Sequence, residues 1–215
     1  MIRKMFFAAI AASACASAPK VERPTWKNGW DSVLVEDIKP TAEDVLVWRE
    51  ERFEVPLPLD DYYPRFLIGA QNLENYLPGT PKVPGVDHNE ALPVDVFPAV
   101  GSRRLVCLAD GNWAREEVLA LDDTGFRTLV SNYSLEAARP IEYGLGEFKF
   151  ERLTASSTRV TWRYSFKLRT NRFPGSLGGL GRWLFRRSFL DSDYAAFMAA
   201  GVTKMTEWAV ADARR

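Results

Sequence analysis

The residues best equipped for chemistry lie between Arg103 and Leu121, where the chain alternates as a β-strand should. Glu116 falls in the same every-second-residue series as Ala114, Val118 and Ala120, so on a strand it shares their more apolar face. A carboxylate facing a core must be paired or neutral. Arg104 lies on the preceding strand, across a hairpin marked by Asp110-Gly111, and is the partner within reach. Such a pair can orient a ligand carbonyl or act as acid and base. A slip of one residue would instead turn Glu116 to water and Arg115 and Glu117 inward; the apolar neighbours of Glu116 favour the first register. Tyr133 adds a hydroxyl that can anchor a ligand or bond a nearby backbone carbonyl. Glu116, Arg104 and Tyr133 are therefore the candidate catalytic residues.

The remaining reactive side chains are few. His88 is the one histidine and Cys15 and Cys107 the two cysteines, which excludes multi-histidine and four-cysteine metal centres. No metal site and no cofactor is expected. A nucleophile–histidine site would need His88, and no nucleophile motif lies near it; in Val86-Asp87-His88-Asn89-Glu90 it reads as a solvated loop or edge residue. Cys107, in Leu105-Val106-Cys107-Leu108, reads as a buried thiol. Gly175, Gly178, Gly179 and Gly181 precede no Lys-Ser/Thr pair, so they are not a phosphate loop and are expected to form a flexible access loop. Lys+Arg and Asp+Glu are equal at 28 each, and this balance argues against nucleic-acid binding. Arg182, Arg186 and Arg187 beside Trp183, Leu184 and Phe185 form either a peripheral contact with an anionic membrane or a solvated face.

The elements that must position these groups follow from periodicity. Val47–Val55 reads as a strand ending at Pro56. From Leu59 to Tyr76 the apolar spacing is helical, with Asp60 and Asp61 at its start; Pro64 and Gly69 are expected to divide it into two short helices. Strands follow at about 103–109, 112–121, 126–135, 146–153 and 158–170, separated by short turns, with a further short strand near 86–92. That spacing makes an antiparallel meander. In the last strand Val160, Trp162, Tyr164, Phe166 and Leu168 alternate with polar residues, giving one aromatic face, and Phe148 and Phe150 extend it. Helix begins near Trp183. From Asp191 or Ser192 onward, Tyr194, Phe197, Met198, Val202, Met205, Trp208 and Ala209 recur every three or four residues, one apolar stripe of a long helix. An antiparallel sheet with one apolar face needs a cover, and this helix is the element available.

This order resembles the START-like, birch-pollen-allergen-like superfamily, also called SRPBCC, over roughly Val47 to Ala211. The resemblance is carried by Tyr76-Leu77-Pro78-Gly79 before Pro84-Gly85-Val86, by Gly101-Ser102-Arg103-Arg104, by Ala109-Asp110-Gly111 with Glu116-Glu117, and by Tyr133 and Thr158-Arg159-Val160-Thr161-Trp162. These stretches are similar to those of the bacterial polyketide cyclase/dehydrase and lipid-transport-like branch. The resemblance implies an α+β helix-grip fold: a curved antiparallel sheet of about seven strands wrapped around a long C-terminal helix, with two short helices after the first strand. It also implies a hydrophobic small-molecule partner, such as a lipid, sterol or polyketide, in an internal cavity. Trp162, Tyr164, Phe166, Tyr133, Phe148, Phe150, Glu116, Arg104, Phe197, Met198 and Met205 would line that cavity. The alternatives are a cyclase/dehydrase-type enzyme and a non-catalytic interaction module with a filled core; fold alone does not choose.

Ahead of this domain (47–215), Met1 to Ala18 has the order of a signal peptide: Arg3 and Lys4, a short apolar run, then Ala16-Ser17-Ala18. Cleavage after Ala18 and a periplasmic location are expected; lipidation at Cys15 is the alternative reading. Residues 19–46 read as an extended arm. Nothing in the sequence fixes the oligomeric state.

Overall fold

The computed structural model describes residues 38–91 and 96–213, and the signal-like start and most of the arm lie outside them. Seven strands form one antiparallel sheet: β1 (Val47–Val55), β2 (Val86–Ala91), β3 (Arg103–Leu108), β4 (Trp113–Leu121), β5 (Gly125–Ser131), β6 (Ile141–Thr154) and β7 (Ser157–Leu168). Their order across the sheet is β1-β7-β6-β5-β4-β3-β2. Strands β2 to β7 are a meander in which each joins its successor, and β1 closes the far side against β7, with Val47 opposite Phe166 and Val55 opposite Thr158. The fold is the α+β helix-grip.

Helix α1 (Leu59–Ala70) runs through Pro64, and a short 3-10 turn follows at Leu73–Asn75. The division therefore falls after Ala70, not at Pro64. The single intrahelical bond that Pro64 removes is to the carbonyl of Asp60, near the exposed start of the helix, where its loss is tolerable. Gly69 is in the helix for space: a Cβ there would stand 1.9 Å from the Tyr76 hydroxyl.

The glycine-rich segment also departs from expectation. A 3-10 turn at Gly175–Leu177 leads into α2 (Gly178–Phe185), a π-helical turn at Arg186–Leu190, and α3 (Asp193–Ala213). Residues 178–181 are helix instead of a flexible loop. A Cβ on Gly181 would meet the Pro174 carbonyl oxygen at 1.7 Å, so this glycine lets α2 dock against the preceding backbone.

The stripe on α3 faces the sheet: Tyr194, Phe197, Met198, Met205 and Ala209 are buried in the main core with Trp162, Phe166, Phe150 and Val160. The α3 backbone comes close to β1 and stands off the central strands, leaving large side chains to bridge the gap. The opposite face of the sheet carries a smaller core of Leu129, Tyr143 and Leu145, against which Ile38, Leu46 and Leu119 pack. Residues 38–46 are tied there by Asp44, which accepts hydrogen bonds from Tyr143 Oη and Lys167 Nζ, both at 2.5 Å, and from the Thr41 N–H at 2.9 Å.

Candidate functional site

The β3–β4 hairpin sets Arg104 directly opposite Glu116. Gly111 takes φ +84 in the turn, a conformation natural to glycine, and Asn112 N–H donates to Asp110 Oδ1 at 3.0 Å. Both side chains turn inward and are almost wholly buried, at 2% and 6% exposed. Arg104 Nε donates to Glu116 Oε2 at 2.6 Å, and Nη2 lies 2.6 Å from the same oxygen. Nη1 donates to the carbonyl of Ala70 at 2.6 Å, at the C-terminal end of α1. The guanidinium carbon sits 3.7 Å from the centre of the Phe97 ring. Arg104 is thus clamped by a carboxylate, a helix-end carbonyl and an aromatic face. Glu116 Oε1 is left without a hydrogen-bond partner among the described residues.

Three tyrosines gather near this pair. Tyr164 and Tyr194 have ring centres 5.3 Å apart. The hydroxyls of Tyr133 and Tyr164 meet over β6, where a Cβ on Gly144 would come within 2.9 Å of both oxygens. Gly146 makes room for the same Tyr164 ring and for Thr128. Two glycines two residues apart on the inner face of β6 create this space, since backbone without a Cβ lets other groups approach. Burial pushes the phenols of Tyr133, Tyr164 and Tyr194 above their ordinary value, and the Glu116 charge adds to this at Tyr133 and Tyr164. All three hydroxyls therefore keep their protons at neutral pH and act as donors. Tyr133 Oη makes no well-formed hydrogen bond, although Tyr164 and the Gly144 backbone are beside it.

The other expected lining residues divide into two groups. Trp162, Phe166, Phe150, Met198, Met205 and Phe197 are buried in the core. They pack on one another and on helix α1: Phe148 stacks on Trp162 at 5.3 Å, and Phe150 meets Tyr63 at 4.7 Å and Phe66 at 4.8 Å. Tyr133, Tyr164 and Phe148 share that face but are only partly buried. The polar corner itself is closed in: Tyr133 Oη has no accessible surface, and Arg104 and Glu116 are buried. Two open depressions, of about 530 and 430 Å³, lie elsewhere: one between α1 and the β4–β5 turn, the other across Arg127, Glu147 and Arg163.

Sequence reasoning missed Tyr194, Phe97, the Ala70 carbonyl and the paired glycines Gly144 and Gly146. The glycines were open to detection, because Gly-x-Gly inside a strand pattern signals a close approach. His88 lies on the opposite face of the sheet from Arg104, facing Cys107.

The fold and this buried polar corner define a helix-grip protein. Solved structures share the fold at low sequence identity. Norcoclaurine synthase of Thalictrum flavum, a point mutant in complex with a transition-state analogue, matches at TM-score 0.56 and 12% identity, covering 80% of this chain and 99% of that one. The Zhui aromatase/cyclase of Streptomyces sp. R1128 matches at TM-score 0.54 and 12% identity, covering 77% and 94%. Ara h 8.0201 matches at TM-score 0.52 and 12% identity, covering 78% and 99%. No protein-family model and no curated protein sequence matches the chain.

Proposed function

We propose that the protein binds a hydrophobic small molecule of lipid, sterol or polyketide type between the sheet and α3, with an oxygen-bearing end against Glu116 and the tyrosine hydroxyls. The observation that carries this reading is the polar corner: a clamped ion pair with one free carboxylate oxygen, beside phenol donors, inside an aromatic shell. Glu116 Oε1 can accept from a ligand hydroxyl, and Tyr133 can donate to a ligand carbonyl. Apolar sites with a few placed polar groups are the usual form of small-molecule pockets. The norcoclaurine synthase solved with dopamine and hydroxybenzaldehyde is a protein of the same fold with small oxygenated aromatics bound.

The test is native mass spectrometry of the purified protein, then thermal melting of the delipidated protein against fatty acids, sterols and hydroxylated aromatic ketones. A ligand present at about 100 times its Kd adds about 2.7 kcal/mol, or a Tm rise of about 5–11 °C for a chain of this size. No retained ligand and no rise with any compound would overturn the reading.

A second reading is favoured by one observation, the meeting of Glu116, Arg104 and Tyr133 in one corner. In it, Tyr133 donates to a bound ketone while Glu116 accepts a proton from the adjacent carbon, as in cyclase/dehydrase chemistry. Conversion of a polyketide-like ketone by the wild type, lost in Glu116→Gln, would support it; an unchanged rate in that variant would remove it. We also propose export to the periplasm after cleavage at Ala18, with loading at a membrane through the surface of α2. Phe173, Leu177, Leu180 and Trp183 are exposed there. No acidic residue occurs between Glu151 and Asp191, while Arg172, Arg182, Arg186 and Arg187 do, a combination suited to anionic lipid.

A further inference from the structure

We propose that His88, Glu90 and Cys107 form a binding site for one zinc-like divalent ion on the outer face of the sheet. The His88 ring, a Glu90 carboxylate oxygen and Cys107 Sγ each offer a ligand atom, and all three atoms lie within 4.8 Å of one another. Strand pairing places them there: His88 stands directly opposite Cys107, and Glu90, two residues on, opposite Leu105. Bonds of 2.0–2.3 Å in a tetrahedral zinc shell put ligand atoms about 3.3–3.8 Å apart, so small side-chain rotations close the set. Nε2 of His88 is already 3.1 Å from Glu90 Oε1.

A second observation concerns the other side of the imidazole. Asp87 Oδ2 lies 2.8 Å from His88 Nδ1. With Nδ1–H donating to Asp87, Nε2 presents its lone pair toward Glu90 and Cys107. Metal-binding histidines are commonly oriented by such an outer carboxylate. A register shift in β2 between Val86 and His88 falls at the same place, and bulges often re-aim side chains beside sites.

The donor set selects the ion. Calcium and magnesium take oxygen ligands, whereas one nitrogen, one sulfur and one oxygen suit zinc. A thiolate, a carboxylate and a neutral imidazole balance two positive charges, as fits a buried cysteine and two half-buried partners. On binding, the Cys107 S–H bond breaks, its proton goes to solvent, and a sulfur–metal bond forms with no change of oxidation state. Affinity therefore rises with pH. The ion would pin the outer strand β2 to β3. The scarcity of histidine and cysteine excludes richer centres but not this mixed set.

The experiment strips the full-length protein with chelator and titrates cobalt(II), then zinc. The expected result is a sulfur-to-cobalt charge-transfer band saturating at one ion per chain, displaced by zinc, with a zinc-dependent rise in Tm. Cys15→Ser keeps the band, and Cys107→Ser and His88→Ala lose it. Asp87→Asn weakens binding about 10–100-fold. The proposal is overturned if the wild type shows no such band, or if the band survives in Cys107→Ser. Should Cys107→Ser fail to fold, unchanged affinity in His88→Ala overturns it equally.

Discussion

Replacing Glu116 by Gln tests the polar corner most directly. Arg104 is 2% exposed, and without Glu116 its charge retains only the Ala70 carbonyl and the Phe97 ring. Breaking a buried ion pair by removing one partner costs about 3–5 kcal/mol, because the remaining charge stays desolvated. Total stabilities run about 5–15 kcal/mol, so this is a large share, and at about 2–4 °C per kcal/mol the Tm should fall by about 6–20 °C. Replacing both partners at once, Arg104→Met with Glu116→Leu, removes the two charges together and should recover most of that loss. The assay is circular dichroism melting with urea titration at a constant m-value. A Glu116→Gln protein melting within about 2 °C of wild type, an effect of at most about 1 kcal/mol, would refute the argument that the pair is buried and mutually dependent. If the double variant is stable but binds no oxygenated ligand, the pair is kept for recognition and not for folding.

Three further outcomes follow from the geometry. Lys167, Tyr143 and the Thr41 amide hold the Asp44 carboxyl well below its ordinary value of 3.8; the stability it contributes is present above that pH and is lost as pH falls below about 4. Asp44→Asn should remove about 1–2 kcal/mol at pH 7 and flatten the acid limb of the unfolding curve, and an unchanged acid limb would count against the tie. Gly144→Ala places a methyl 2.7 Å from Tyr164 Cε1; overpacking of this kind costs about 1–3 kcal/mol, and ligand-induced melting shifts should shrink with it. Leu180→Ser with Trp183→Ser should leave the Tm unchanged while abolishing co-sedimentation with phosphatidylserine vesicles, and retained sedimentation would remove the membrane contact.

Much of the architecture was readable from the chain because the strands alternate and the turns carry strong signals. β1 was found at Val47–Val55 as expected, and the Asp110-Gly111 hairpin fixed which residues of β3 and β4 face each other. Where reading failed, tertiary contact had overruled local preference. Pro64 and Gly69 look like helix breakers, yet α1 contains both, one near an exposed end and the other under the Tyr76 hydroxyl. Gly178 to Gly181 look like a loop until the Pro174 carbonyl explains the missing side chain. β6 begins at Ile141, ahead of the start expected at Gly146. At the site, Arg104 and Glu116 could be paired from register alone. Tyr194 and Phe97 reach the corner only through the packing of distant segments, which no local pattern encodes.

The position of β1 has a consequence for how the chain acquires its shape. Its cross-strand ion pair, Glu50 with Arg163, joins residues 113 apart in sequence, so the first strand must wait for nearly the last before it has a neighbour. Long-range pairing of this kind slows folding. A nascent chain emerging from the ribosome would thus carry an orphaned opening strand until translation is almost finished. Such a delay keeps the polypeptide threadable for longer, which is what the proposed export would require.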